Sequence, residues 1–184
     1  MGIDKAFYRE CKNKEFNFTI KDRLLKNHSK LAVYYIRRAQ LFGSKKGYLA
    51  LFLSRIYTNR LVKNYGIFIH PDTSIGIGLK LPHPNGIIIG KAVTIGRNVT
   101  LYQQTTIGSA NIGDWMINEQ PIIGDGVIVF SGAKIIGDIV IADNCIVGSN
   151  AVVNKTMEHP DAILAGVPAK LIRYNGVVKS DQGF

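Results

Sequence analysis

The chain has little cysteine, almost no tryptophan and no long apolar run. Of its 184 residues only Cys11 and Cys145 are cysteines, and one is Trp. Two thiols so far apart, in unlike stretches of sequence, give no support for a disulfide framework or a metal knuckle. They read as reduced, inert thiols. No stretch reaches the roughly 18 uninterrupted apolar residues of a membrane-crossing helix. The opening MGIDKAFYRECKNKEF lacks the apolar core of a secretory signal, so the expectation is a cytoplasmic protein. Acidic residues are also scarce, 13 against 23 Lys and Arg, which leaves a formal charge of +10. That balance favours anionic partners and does not choose among nucleic acid, membrane, acidic polysaccharide or a phosphate-rich cofactor. The basic residues are not interleaved with an aromatic stacking pattern, which argues against nucleic acid.

Most of the positive charge falls in residues 1–65, where apolar residues recur at helical spacing. Within Ile20 to Phe42, Leu24, Leu25, Leu31, Ile36 and Leu41 approximate one face. Lys26, Lys30, Arg37 and Arg38 lie largely elsewhere, and Gly43 can end the helix. A second helix is expected from about Tyr48 to Asn64. Packing on the main domain or on a partner subunit is the plain use of such helices; docking on an anionic membrane or polymer is the sharper one.

From residue 69 the helical spacing gives way to a period of six. Ile69, Ile75 and Leu81 form one run; Ile89, Ile95, Leu101 and Ile107 form a second, displaced by two residues. Ile123, Val129, Ile135, Ile141, Val147 and Val153 form the third. Four residues after most of these stands a small or β-branched residue: Thr73, Val93, Val99, Thr105, Val127, Ala133, Ile139, Cys145 and Ala151, with Leu79 and Asn85 as exceptions. Such a repeat makes sense as a three-sided parallel coil, each side a short strand and a corner with one apolar side chain on the axis. A β-sandwich would show hairpin turns every 8 to 12 residues instead. The segment 108–121, GSANIGDWMINEQP, interrupts the period and is expected to leave and re-enter at one corner as a projecting loop.

These stretches resemble the hexapeptide-repeat acyltransferases, in the branch of serine acetyltransferases and polysaccharide O-acetyltransferases. The resemblance covers roughly residues 66–174 and rests on IHPDTSIGIGLKLPHPNGIIIGKAVTIGRNVTLYQQTTIG, IIGDGVIVFSGAKIIGDIVIADNCIVGSNAVV and AGVPAKLIR. It implies a mainly β chain: a left-handed parallel β-helix over 66–157 with its excursion loop, a basic α-helical segment over 1–65, and a C-terminal segment, 158–184, completing a coenzyme A site. It also implies a homotrimer with active sites between subunits. His83, in LPHPNG, coincides with the family's general base, a role a neutral imidazole suits near pH 7. His28 and His159 read as surface residues and His70 as a corner residue. No metal is expected. For acetyl-CoA the resemblance points to Gly108, Ser131, Ala133, Ser149, Asn154 and Lys155, with Lys170 and Arg173 facing the nucleotide phosphates. For the acceptor it leaves Tyr102, Gln103, Gln104 and Gln120, with Trp115 able to stack on a sugar ring or cover the cofactor.

The sequence departs from the serine enzymes at several points. They carry Asp where this chain has Phe68 and Pro82, and an Arg-His pair where Glu119 and Gln120 stand. A glutamate in place of a carboxylate-binding arginine suits free serine poorly. The resulting expectation is an O-acetyltransferase acting on a sugar hydroxyl of a capsule, exopolysaccharide or O-antigen. Its acceptor would be polyanionic or lipid-linked, and the basic helices would allow peripheral contact at the inner face of the membrane. A serine O-acetyltransferase and a non-catalytic β-helix scaffold are the alternatives.

Overall fold

A computed structural model describes residues 27–174, apart from 114, 115, 117 and 118. Two helices come first, α1 (His28–Gly43) and α2 (Tyr48–Tyr65). Asn27 caps α1 by accepting the Lys30 N–H. The left-handed Gly66 ends α2, its N–H returning to the carbonyls of Leu61 and Val62. The Ser54 hydroxyl donates to the Ala39 carbonyl at 2.8 Å and ties the two helices together. Leu24, Leu25, Lys26 and Cys11 lie outside the described residues. Among the described residues no helix is long and apolar enough to cross a membrane.

Among the described residues fourteen short strands follow, all but the last wound as parallel coils on three faces. Face one stacks β1 (Phe68–Ile69), β3 (Ile88–Ile89), β6 (Thr106–Gly108), β9 (Lys134–Ile136) and β12 (Val152–Val153). Face two stacks β2 (Ser74–Ile75), β4 (Thr94–Ile95), β7 (Ile122–Ile123) and β10 (Val140–Ile141). Face three stacks β5 (Thr100–Leu101), β8 (Ile128–Val129), β11 (Ile146–Val147) and β13 (Ala162–Gly166), with β14 (Ala169–Tyr174) closing the edge as an antiparallel hairpin.

Every residue of the period-six runs is buried, from Ile69 to Val153. So are the small residues four places later, Thr73, Val93, Val99, Thr105, Val127, Ala133, Ile139, Cys145 and Ala151. Each buried Ile, Leu or Val contributes about 1.5–3 kcal/mol, and the strands are too short to persist without this axial core. Leu79 is buried at its place in the pattern, whereas Asn85 is exposed and Ile87 takes the core position instead.

Helix α1 departs from the face expected of it. Its buried side consists of Ala32, Val33, Ile36, Arg37, Ala39 and Gln40, while Leu31 and Leu41 are half-buried. The cause is the open edge of the first coil, whose carbonyls have no preceding coil to bond. Arg37, only 1% exposed, donates to Ile75 O at 2.9 Å and to Gly76 O, and Gln40 Nε2 donates to Thr73 O at 2.8 Å. The helix therefore turns its donors toward the coil and its larger leucines toward the rim.

Candidate active site

Two corners flank face one, and the irregularities of the repeat fall on them. At the corner between faces three and one, Lys80 pairs with Thr100 and Ile88 with Thr106. The first coil thus spends eight residues (80 to 88) where the second spends six (100 to 106). The two extra residues bulge outward and carry His83 into solvent. Its ring lies 6.0 Å from that of Tyr102, which stacks on Phe130 at 5.1 Å. Further along, Ser131 and Ser149 face each other with hydroxyls 3.4 Å apart. Gln103 and Gln104 share this corner; Gln103 Oε1 is buried without a partner among the described residues, and the Gln104 carbonyl accepts from Lys134 Nζ at 2.6 Å.

His83 therefore stands at the head of a column of aromatic and then small hydroxyl side chains. Among the described residues no carboxylate, hydroxyl or carbonyl hydrogen-bonds its ring. Phe68, 53% exposed on β1, cannot supply such a bond, and neither can Pro82.

At the corner between faces one and two the chain makes its excursion. Ile89 to Ile95 spans six residues, but Ile107 to Ile123 spans sixteen, although Ile95 and Ile123 remain paired. Ser109 begins the detour and Gln120 ends it. Together with His70, Gly90 and Lys91 they line an open cleft of about 390 Å³. Gln120 is buried, and among the described residues neither Oε1 nor Nε2 has a partner. His70 Nδ1 accepts the Asp72 N–H at 3.2 Å and lies 3.4 Å from the Asp72 carboxylate. Trp115 lies outside the described residues.

The remaining expected residues divide between these regions. Gly108, Asn154 and Lys155 belong to the excursion corner's edge of face one, the last two exposed. Lys170 and Arg173 are exposed on β14, beyond the Ser131–Ser149 column. Ala133 points into the core, with its carbonyl accepting from Thr106 N and its N–H directed to Phe130 O. Sequence reasoning passed over Phe130, Lys91 and Ser109. Register would have located them: Phe130 follows Val129 as Tyr102 follows Leu101, and Lys91 follows Gly90 as Ser109 follows Gly108.

The third corner, between faces two and three, is structural. Arg97 donates through Nε and Nη2 to Asp125 Oδ2 at 2.9 and 2.6 Å, and Asp143 Oδ1 accepts the Asp125 N–H at 2.7 Å. The hydrogen bonds from Arg97 hold the Asp125 carboxyl below the usual carboxylate range.

Residues 120–155 match the family model described as bacterial transferase hexapeptide (six repeats). The chain is 36% identical over 138 residues to a serine acetyltransferase of Staphylococcus aureus (strain Mu50), covering 75% of this chain and 62% of that protein. A soybean serine acetyltransferase solved in complex with serine superposes with a TM-score of 0.69 at 30% identity, covering 78% of this chain and 56% of that one. A serine acetyltransferase solved in complex with CoA gives 0.66 at 27% identity, with 77% and 55% covered. The chain belongs to the left-handed β-helix transferases built from hexapeptide repeats. Within them its likeness runs to the serine acetyltransferases, of which it spans less than two thirds of the length.

That likeness overturns the expectation of a sugar acceptor, and with it the assignment to polysaccharide biosynthesis: the relatives are named for serine. The expectation had rested on Glu119 and Gln120. Glu119 is exposed, and a carboxylate in solvent says little about the charge lining the cleft.

Proposed function

We propose that the chain is the catalytic β-helix of an acetyl-CoA-dependent serine O-acetyltransferase, with His83 as general base. The observation that carries the reading is the two-residue bulge that projects His83 at the head of an accessible column. His83 accepts the proton of the serine hydroxyl as the oxygen bonds to the acetyl carbonyl carbon. The carbon–sulfur bond breaks, and the proton passes from the imidazole to the departing thiolate. Residues along the column suit the long pantetheine arm: Ser131, Gly148 and Ser149 are small, and Lys170 and Arg173 are exposed cations for phosphates.

His83 and the excursion cleft lie at opposite edges of face one, so one chain does not join them. A homotrimer would, by setting the His83 edge of one copy against the excursion edge of the next. The exposed Phe68 and Ile88 on face one support such a contact. Peripheral contact of α2 with an anionic membrane is supported by Lys45 and Lys46 beside the exposed Tyr48, Leu49, Leu51 and Phe52.

Thiol release from acetyl-CoA with L-serine, with O-acetylserine identified by mass spectrometry, tests the reaction. His83→Ala is expected to lower kcat by about 10²–10⁴-fold. Release no faster with serine than without it, or a fully active His83→Ala protein, would overturn the reading.

A further inference from the structure

We infer that Gln103 is the positioning residue for His83. Its side-chain carbonyl, one coil away on the same corner, accepts the N–H of one ring nitrogen and leaves the lone pair of the other to meet the acceptor hydroxyl. The inference deepens the serine reading and rests on it.

Register is the first support. Lys80 pairs with Thr100, and Leu101 N donates to Lys80 O at 3.0 Å. Counting forward in parallel from that pair sets Leu81 against Leu101, Pro82 against Tyr102 and His83 against Gln103. Beyond the corner, Gln104 N donates to Asn85 O at 2.8 Å, and a Cβ on Gly86 would come within 3.5 Å of Gln104 Cγ. The two extra residues are therefore taken up between His83 and Gly86, and Gln103 is the residue of the next coil that underlies His83. Neighbouring coils lie about 4.8 Å apart, a gap that a glutamine side chain spans. The Gln103 backbone is held from the far side, where Gly132 N donates to its carbonyl at 2.9 Å.

Two unmet groups are the second support. Gln103 Oε1 is buried and finds no donor among the described residues. An orphaned buried oxygen is uncommon and costs about 1–3 kcal/mol. The His83 ring, in solvent one coil away, lacks an acceptor among the described residues, and neither Phe68 nor Pro82 can supply one. The oxygen is fixed by burial, whereas the exposed ring turns on its two side-chain torsions. Other groups of the corner do not compete. Tyr102 stacks on Phe130, and the Lys134 ammonium donates to Gln104 O and offers no acceptor. None of residues 82–87 and 102–105 is acidic.

The chemistry is the third support. A neutral imidazole carries one N–H and one lone pair, and a hydrogen bond from the N–H fixes both the tautomer and the plane of the ring. A base held in this way presents its lone pair in one direction, as nucleophile activation requires. An amide carbonyl does so without a negative charge, so exchanging it for a carboxylate should favour the protonated ring and change the pH dependence of the reaction.

Steady-state thiol release from acetyl-CoA with L-serine, followed as a function of pH, tests this in wild type, Gln103→Leu and Gln103→Glu. Gln103→Leu is expected to lower kcat on the order of 10²-fold, with the KM values for serine and acetyl-CoA within about twofold of wild type. Its melting temperature should stay level or rise, since an unmet buried oxygen is removed. Gln103→Glu should recover most of kcat and move the acid limb of the pH–rate profile up by about one pH unit. Adding Gln103→Leu to His83→Ala should cost nothing further, because the two residues act as one. A Gln103→Leu enzyme with wild-type kcat, or one whose loss lies in a KM, would overturn the inference and leave the serine reading intact. An unmoved acid limb in Gln103→Glu, or additive losses in the double variant, would overturn it equally. Should Gln103→Leu fail to fold, the acid limb of Gln103→Glu decides. A wild-type protein that leaves serine unacetylated overturns both readings.

Discussion

Replacing Arg37 by methionine removes the guanidinium that closes the open edge of the first coil and keeps most of the apolar stem. The bonds that go with it include those to Ile75 O at 2.9 Å, to Gly76 O, and to Gln40 Oε1 at 3.1 Å. The Ile75 bond is buried and the Gly76 bond partly so; water can therefore replace some of the second and little of the first. A buried carbonyl left unmet costs about 1–3 kcal/mol, and the partly buried one adds less, for an expected loss of about 2–4 kcal/mol. At roughly 2–4 °C per kcal/mol for a chain of this size, the melting temperature should fall on the order of 10 °C. Urea unfolding followed by circular dichroism, with Arg38→Met as the control, measures it. Arg38 loses the same charge, together with a half-buried bond to the Tyr34 hydroxyl, so its variant should lose less than about 1 kcal/mol. If Arg37→Met lay within about 0.5 kcal/mol of wild type, or matched Arg38→Met, the edge-closing account would be wrong.

Two further variants probe the stacking of the coils. A methyl group at Gly124 would come within 2.5 Å of Asp143 Oδ1 and 2.7 Å of Asp143 N, so Gly124→Ala must push adjacent coils away from each other. It should cost about 3 kcal/mol in urea unfolding, the upper end of overpacking penalties. Asp125, held below its usual range by Arg97, contributes stability that is present at neutral pH, above the unfolded aspartate value of about 3.9. That contribution disappears as the pH falls through the depressed folded value. Asp125→Asn should therefore lose stability at pH 7 and show a smaller further loss than wild type between pH 5 and pH 2 in thermal melts; parallel acid profiles for the two proteins would refute this.

The core could be read from the sequence because the period of six is local: Ile69 through Val153 each set one axial side chain, and hydrophobic burial needs no knowledge of what lies one coil away. The two-residue displacement after Leu81 likewise marked His83, since a longer corner must bulge whatever its neighbours are. The acceptor could not be read this way. Glu119 and Gln120 are adjacent in sequence, yet one is exposed and the other buried. The cleft beside Gln120 is assembled from His70, Gly90, Lys91 and Ser109 across successive coils.

Arg37 teaches the same lesson from the other end of the molecule. Helical spacing placed it largely off the apolar face, but the unbonded carbonyls of Ile75 and Gly76 draw it inside. The sequence alone determined which residues point to the axis and where the repeat must bulge or detour. Tertiary structure decided which bulges lie on the same edge, which cation stands above which hydroxyl, and which helix donors meet the open coil. Those outcomes depend on backbone groups and register between residues some twenty to forty positions apart, and local periodicity carries no record of either.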